Sequence, residues 1–155
     1  MTAHKVIRVI EVLDKDYPIL PANGRLPEII EAFSRTAHTM LPVFGAFDAY
    51  YGVLPLRNLL EALFPSYFSL LPSLEAFSDF GLIEQEIFKL ETQLFIAEDL
   101  IDDDIVPLVP DESVVKAVIQ LIKLKYFELP VVSKGKFEGF VTLKSITEYI
   151  LKLNR

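Results

Sequence analysis

The stretch LPVVSKGKFEGFVT, at residues Leu129–Thr142, decides the fold. It begins with Leu129–Val132, a short apolar run of the kind that forms buried strands. Ser133–Lys136 follows and contains the glycine typical of a tight turn. Phe137–Thr142 is then predicted to be a second strand, so that the whole stretch forms a β-hairpin.

Amphipathic segments flank this hairpin on both sides. Before it, Asp111 or Ser113 can cap a helix whose predicted buried face recurs at the spacing of three to four residues. That face consists of Val114, Val115, Val118, Leu121 and Ile122. After the hairpin, a closing helix is predicted from the apolar positions Ile146, Tyr149, Ile150 and Leu153.

The same plan occurs earlier in the chain, as a search for internal repeats shows. Pro18–Pro21 matches Pro107–Pro110, Leu41–Val43 matches Leu129–Val131, and Gly52–Leu54 matches Gly139–Val141. The three matches occur in the same order and their separations differ by only one residue from one match to the next. The sequence therefore predicts two copies of one strand-helix-strand-strand-helix unit.

In the first copy, a helix is predicted from Leu26, Ile29, Ile30 and Phe33, strands over Met40–Phe44 and Tyr50–Leu54, and a closing helix over Leu56–Leu63. We place the first unit at residues 1–63, a helical connector at 64–99 and the second unit at 100–155. The connector helix is predicted from Ile83, Ile87, Leu90, Leu94 and Ala97. Because short strands are separated by helices, each unit is expected to be a small mixed sheet with two helices against it, and the fold class is α+β.

Composition narrows the class of protein. The chain has 155 residues, no Cys, 52% apolar residues and a mean hydropathy of +0.37. A chain this apolar is expected to bury its excess apolar surface in an oligomer interface, so at least a homodimer is expected. The net charge of -7, without a segment of interleaved basic and aromatic residues, argues against nucleic acid polymers as partners. No apolar run is long enough for membrane insertion, so a soluble, cytoplasmic protein is expected.

The duplicated set of motifs resembles the tandem CBS-domain family, also called the Bateman module. The resemblance rests on the proline-flanked opening segments, the Leu-Pro-Val strands and the glycine-hydrophobic-hydrophobic strand ends, and it covers roughly residues 5–63 and 100–152. It implies a regulatory sensor that binds AMP, ADP, ATP or another adenosine derivative in the cleft between two units. It implies no required cofactor and no catalytic residue, and so no enzyme.

In this family the phosphate and ribose are usually held where the last strand ends, by a Thr or Ser followed three residues later by Asp. The second copy has Thr142 and Ser145 at these positions, and the first has Pro55 and Asn58. Thr142 can donate a hydrogen bond to a phosphate oxygen near the start of the closing helix, where backbone N–H groups favour anions. Ser145 and Asn58 offer weaker contacts to a ribose than Asp would.

Arg57 and Lys144 occupy matching places in the closing helices and suit a phosphate, although a solvated helix face explains them equally well. By the same resemblance, the adenine would lie against residues of the opening segments and the Leu-Pro-Val strands, namely Tyr17, Pro18, Leu41, Val106, Pro107 and Leu129. His38, two residues before the predicted strand, is expected to line the cleft.

Two alternatives remain at this point. Thr142 and Ser145 can act only as a helix cap, and the pair can be a degenerate dimerisation or protein-interaction scaffold that binds no ligand. The acidic residues of 98–104 lack the glycine and the alternating spacing of a calcium loop, so a solvated helix end is expected there, not a metal site.

Overall fold

The first unit contains a three-stranded sheet and two helices. The computed structural model describes residues 4–64 and 94–155. In the first of these ranges the elements are β1 (Leu20–Pro21), α1 (Leu26–Ser34), β2 (Met40–Phe44), β3 (Tyr50–Pro55) and α2 (Leu56–Leu63). β2 is the central strand, parallel to β1 and antiparallel to β3. The predicted order of elements in this copy is confirmed.

The second unit repeats the plan with α3 (Val114–Leu124), β4 (Glu128–Ser133), β5 (Lys136–Thr142) and α4 (Leu143–Leu153). β4 and β5 form the predicted antiparallel hairpin. The expected opening strand is reduced to a single parallel bridge between Leu108 and Val131. The fold is thus α+β with two small sheets. In each sheet, the strand with the Leu-Pro-Val sequence pairs with one segment in parallel and with another antiparallel.

Each unit is completed by a segment of chain from the other half of the sequence. Val9–Val12 forms a short 3₁₀ helix whose Val9 N–H donates to Glu112 O, and Ala97–Leu100 forms another whose Ala97 N–H donates to Gly24 O. The buried side chains of the first helix, Val9 and Val12, pack in the core of the second unit. Those of the second helix pack in the core of the first unit. The two halves therefore exchange their leading segments.

The repeated glycines lie where these exchanged segments cross the sheets. Gly52 and Gly139 both have φ +143°, a conformation that side chains rarely adopt. A Cβ on Gly52 would lie 2.7 Å from Cγ2 of Ile101, and one on Gly139 would lie 3.0 Å from the backbone oxygen of Asp14. Only glycine, which has no Cβ, leaves enough space for the crossing segments to pass, and this explains why both copies have a glycine here.

Two of the predicted core positions on α3 are wrong. Val115 and Ile122 are 67% and 68% exposed, while Leu121 and Ala117 are buried. The helical periodicity was correct, but its apolar stripe is wider than the surface that the sheet covers. The predicted connector helix lies largely outside the described residues; within them, Leu94 is in irregular chain and Ala97 begins the 3₁₀ helix.

Candidate functional site

The residues that the structure describes line two clefts between the units. The first has a volume of about 550 Å³ and is walled by the chain after α1 on one side and by the start of α4 on the other. Its lining comprises Asp14, Asp16, Pro18, Arg35, Thr36, Ala37, His38, Thr39, Phe127, Glu128, Thr142, Leu143 and Lys144. The predicted position of His38 in a cleft wall is confirmed.

The second cleft has a volume of about 1000 Å³ and lies at the start of α2. Its lining comprises Thr39, Met40, Pro55, Leu56, Arg57, Asn58, Leu60, Glu61, Phe64, Asp102, Ile105, Leu124, Lys125, Tyr126 and Phe127. Both volumes fall in the range of small-molecule sites, which is about 300 to 1000 Å³. The second cleft is the more apolar of the two by its residue types.

Thr39 and Phe127 line both clefts. They occupy matching positions in the two copies, each two residues before the Leu-Pro-Val sequence. Each cleft also contains the strand-to-helix junction of one unit, Thr142–Lys144 or Pro55–Arg57. The clefts are therefore equivalent places in a duplicated architecture, with different side chains.

Thr142 and Ser145 cap α4. Thr142 Oγ1 accepts a hydrogen bond from the N–H of Ser145 at 2.8 Å, and Ser145 Oγ accepts one from the N–H of Thr142 at 3.0 Å. Ser145 Oγ also donates to the backbone oxygen of Thr142 at 3.0 Å, which uses its only proton. Thr142 lines the first cleft and keeps its hydroxyl proton for another acceptor, whereas Ser145 is not part of either lining.

The basic candidates lie at the cleft mouths. Lys144 is solvent-exposed and 4.0 Å from Glu148, and Arg57 pairs with Glu61 at 2.9 Å. That pairing raises the pKa of Arg57, first through the hydrogen bond to Glu61 and then through its charge. Asn58 lines the second cleft while its side-chain N–H donates to Leu100 O at 3.1 Å.

The apolar candidates divide into three groups. Pro18 lines the first cleft. Leu41 and Leu129 are fully buried in the two cores, and Tyr17 packs edge-on against the rings of Phe137 and Phe140. Val106 and Pro107 are exposed and belong to neither cleft lining. The structure therefore brings Pro18, Thr142 and Lys144 together in one cleft and Arg57 and Asn58 in the other.

A buried ion pair forms part of the wall of the first cleft. His38 Nδ1 lies 2.5 Å from Glu128 Oε1, and both side chains are less than a tenth exposed. Thr39 donates twice to Glu128 Oε2, from its backbone N–H at 2.7 Å and from its hydroxyl at 2.9 Å. His38 Nε2 lies 3.0 Å from the backbone oxygen of Asp16. These contacts join both units to the exchanged N-terminal segment.

The environment of His38 favours its charged form. Desolvation opposes protonation, but the hydrogen bond to Glu128, the charges of Glu128 and Asp14, and the carbonyl of Asp16 outweigh it and raise the pKa of His38. Burial also raises the pKa of Tyr50, which stacks on Phe137 between the two sheets.

Sequence reasoning missed Arg35, Lys125, Phe127 and Glu128 as cleft residues. Phe127 is 65% exposed between the clefts, in a position suited to stacking on a flat ring. Its match to Thr39 in the repeat was the available signal, because Thr39 precedes the strand expected to line the cleft. Glu128 had no comparable signal, since its match, Met40, is apolar.

Within residues 4–64 and 94–155, no group of three or more His, Cys, Asp or Glu side chains is arranged to hold a metal ion. Two members of the acidic run instead accept local hydrogen bonds: Asp99 from the N–H of Ile96 and Asp102 from that of Asp104. In the same residues, no helix is long and apolar enough to cross a membrane.

Comparison with known families gives one match: residues 97–152 match the model of the CBS domain. Comparison with curated proteins gives no match. The sequence match covers the second unit, from the exchanged 3₁₀ helix to the last turns of α4.

Solved structures similar to this chain extend the comparison to both units. CBSX2 in complex with AMP is 19% identical, with a TM-score of 0.68 over 96% of this chain and 98% of that one. A CBS domain-containing protein from Bacillus anthracis str. Ames Ancestor is 19% identical, with a TM-score of 0.68 over 94% of both chains. CbpB in complex with c-di-AMP is 16% identical, with a TM-score of 0.63 over 96% of this chain and 87% of that one. At these identities the likeness establishes a shared fold.

Proposed function

Because this chain is a CBS-domain pair protein, we propose that it is a non-catalytic regulatory module that binds an adenosine nucleotide or a related ligand between its two units. The observation that carries the proposal is the pair of clefts at matching places in the repeat, both of small-molecule size and both containing the start of a closing helix. The AMP and c-di-AMP complexes of similarly folded proteins support this ligand class.

Cationic side chains at both cleft mouths support binding of a phosphate. Arg35 and Lys144 line the first cleft, and Arg57 and Lys125 line the second. Thr142 adds a hydroxyl proton beside the first turn of α4, where the helix dipole also favours an anion. Asn58 would contact the ribose in the second cleft, and Ser145 would act by holding Thr142 in place.

Phe127 provides the aromatic surface for a base. Its ring is exposed at the boundary of both clefts, so a ligand in either cleft can reach it. Stacking of a base on an aromatic side chain is worth about 1 to 3 kcal/mol. A change in the relative orientation of the units on binding would pass the signal to a partner.

The first experiment measures the melting temperature of the purified protein with AMP, ADP, ATP, cyclic dinucleotides and S-adenosylmethionine. A ligand that binds only the folded state stabilises it by about 2.7 kcal/mol at a hundredfold excess over its Kd. In a chain of this size, that corresponds to a rise of roughly 5 to 11 °C. A rise with one ligand class supports the proposal, whereas no rise with any of them contradicts it.

Matched variants locate the binding site. Lys144→Gln should weaken nucleotide binding by removing a cation at the cleft, while Lys152→Gln, on the last turn of the same helix and outside both linings, should not. Thr142→Asp keeps an oxygen that can cap α4 but adds a negative charge beside the phosphate, so it should weaken binding without unfolding the helix. Thr142→Ser is the control that keeps both the cap and the proton.

Phe127→Ala should weaken binding by roughly 5- to 150-fold if the ring stacks on the base. Phe47→Ala is its matched control, because Phe47 is a fully exposed aromatic residue that belongs to neither cleft lining. Equal affinities of these two variants, measured by calorimetry, would remove Phe127 from the proposed site.

A second candidate function is a scaffold without ligand. It is favoured by the two strand-to-helix junctions. The Thr142–Ser145 capping box already uses the hydroxyl proton of Ser145 and one acceptor position of Thr142. Pro55, at the matching place in the first unit, offers neither a hydroxyl nor an N–H. A protein that sediments as a dimer and shows no ligand-dependent melting shift would support the scaffold.

The proposal also includes a homodimer, supported by apolar side chains on the outer faces of α3 and α4. Seven apolar side chains of these helices are about half exposed or more, and the six that line neither cleft are Val115, Ile119, Ile122, Ile150, Leu151 and Leu153. A surface of this kind is typical of a protein interface. Ile122→Lys should therefore shift the sedimentation coefficient towards that of a monomer. An unchanged dimer would contradict dimerisation through the outer faces of α3 and α4.

A further inference from the structure

His38 and Glu128 are the buried charged or ionisable side chains of the residues that the structure describes. The pair spans three parts of the chain, since His38 precedes β2, Glu128 begins β4, and Asp14 and Asp16 belong to the exchanged N-terminal segment. Breaking the pair therefore affects the contact between units as well as the stability of either one.

The positions of the acceptors determine where the protons are. Nε2 faces a carbonyl oxygen at 3.0 Å and a carboxylate oxygen of Asp14 at 3.4 Å, and neither can donate. Nε2 therefore carries a proton. Nδ1 faces Glu128 Oε1, so a second proton lies between these two atoms. With a proton on each ring nitrogen, His38 is an imidazolium that faces acceptors on both sides.

The charges around the pair make His38 the principal counter-charge of Glu128. Asp14 and Asp16 face His38 from the N-terminal segment, with Tyr17 next to them. The ring of Phe140, on β5, lies over the His38 ring. Arg35 and Lys144 line the same cleft, but among the described residues neither lies within the 4.0 Å ion-pair distance of Glu128. Deprotonation of the ring would leave a nitrogen lone pair facing either the buried carboxylate of Glu128 or the carbonyl oxygen of Asp16, and both arrangements are unfavourable.

The pair is not required by the fold. At the matching positions of the repeat the chain has Tyr126 and Met40, which cannot form an ion pair. The first cleft therefore has a buried His–Glu pair in its wall, and the matching positions at the second cleft do not provide one.

We propose that His38 and Glu128 form a proton-dependent latch between the two units. Protonated, the pair ties the start of β2 to the start of β4 and to the N-terminal segment. When the ring loses a proton, one of its two contacts loses its donor, the latch opens, the units change their relative orientation and the first cleft changes shape. The device acts in the protein without ligand and does not depend on the proposed function.

The first test follows the ring signals of His38 by NMR as the pH is raised. The chain has only two histidines, so His4→Gln assigns the remaining signals to His38. Glu128→Gln is the matched variant, because its amide oxygen can still accept from Thr39 and its NH₂ can donate to Nδ1 of a neutral ring. The titration midpoint of His38 should fall by about 1 to 3 pH units in this variant. Equal midpoints in both proteins would overturn the proposal.

The second test measures the distance between the units. The chain has no Cys, so spin labels can be attached at Glu31→Cys on α1 and Lys136→Cys on β5, both exposed positions. Labelled protein is diluted in unlabelled protein to suppress signals between copies. The distance distribution should change between about pH 6 and about pH 9, on either side of the ordinary histidine pKa. Glu128→Gln should abolish that change, and an unchanged distribution in the parent protein would refute the latch.

Discussion

Gly139→Ala should lower the free energy of unfolding by about 3 kcal/mol. The backbone at this position has φ +143°, where a side chain costs roughly 1 to 3 kcal/mol. The new Cβ would also lie 3.0 Å from the backbone oxygen of Asp14 and push it away from the sheet. That oxygen accepts from the N–H of Phe140 at 3.0 Å, and the N–H of Asp14 donates back to Phe140 O at 2.7 Å. Weakening two such bonds accounts for about 1 kcal/mol of the loss.

Gly135→Ala is the matched control for this experiment. Gly135 lies in the turn of the same hairpin with φ +79°, and nothing lies within 4 Å of where its Cβ would be. Its replacement costs about 1 kcal/mol of backbone strain, partly offset by the stiffer unfolded chain. The difference between the two variants therefore isolates the crossing of the N-terminal segment over β5.

Urea denaturation followed by circular dichroism measures both variants. A loss of 3 kcal/mol corresponds to a fall in melting temperature of roughly 6 to 12 °C for a chain of this length. If Gly139→Ala and Gly135→Ala unfold at the same urea concentration, the close crossing is not what requires glycine, and the account of the repeated glycines fails.

Further substitutions test other parts of the structure. Gly52→Ala should cost less than Gly139→Ala in the same urea experiment, because it meets the movable side chain of Ile101 and not a backbone atom; a larger loss would contradict this. Ser113→Ala should cost about 1 kcal/mol by removing the cap of α3, with an unchanged m value. Since the pKa of His38 is raised on folding, its stabilisation is complete below about pH 6.5 and is lost as the pH rises through the folded value. The free energy of unfolding should therefore fall as the pH is raised above about 6.5, and a flat profile would argue against a charged His38.

The sequence was sufficient for the order of elements and much less informative about the contacts between them. The hairpin at Leu129–Thr142 could be predicted because a tight turn and its strands are set by neighbouring residues. The stripe on α3 was assigned too widely, since periodicity identifies an apolar face but not whether the core or a second molecule covers it. Val115 and Ile122 show that difference.

The candidate site was predictable only where the repeat marked it. Thr142 and Pro55 were found as the matching strand ends, and each lines one of the clefts. The pairing of His38 with Glu128 could not be predicted, because the two residues are distant in sequence and their matches in the repeat are uncharged. Leu41 and Leu129 occupy the strands expected at the cleft, but their side chains point into the cores.

The exchange of leading segments also has a consequence for the order in which the chain is completed during synthesis. Val9 and Val12 leave the ribosome early, but the core that they fill is formed mostly by residues from Ile105 onwards. The first unit, in turn, lacks Ala97 and Leu100 until residues 65–93 have been added. Neither half can finish folding as soon as its own strands have been made, although domains usually fold in the order of their synthesis. A nascent chain that stops near Leu63 would display an open apolar surface, the kind of surface that chaperones bind.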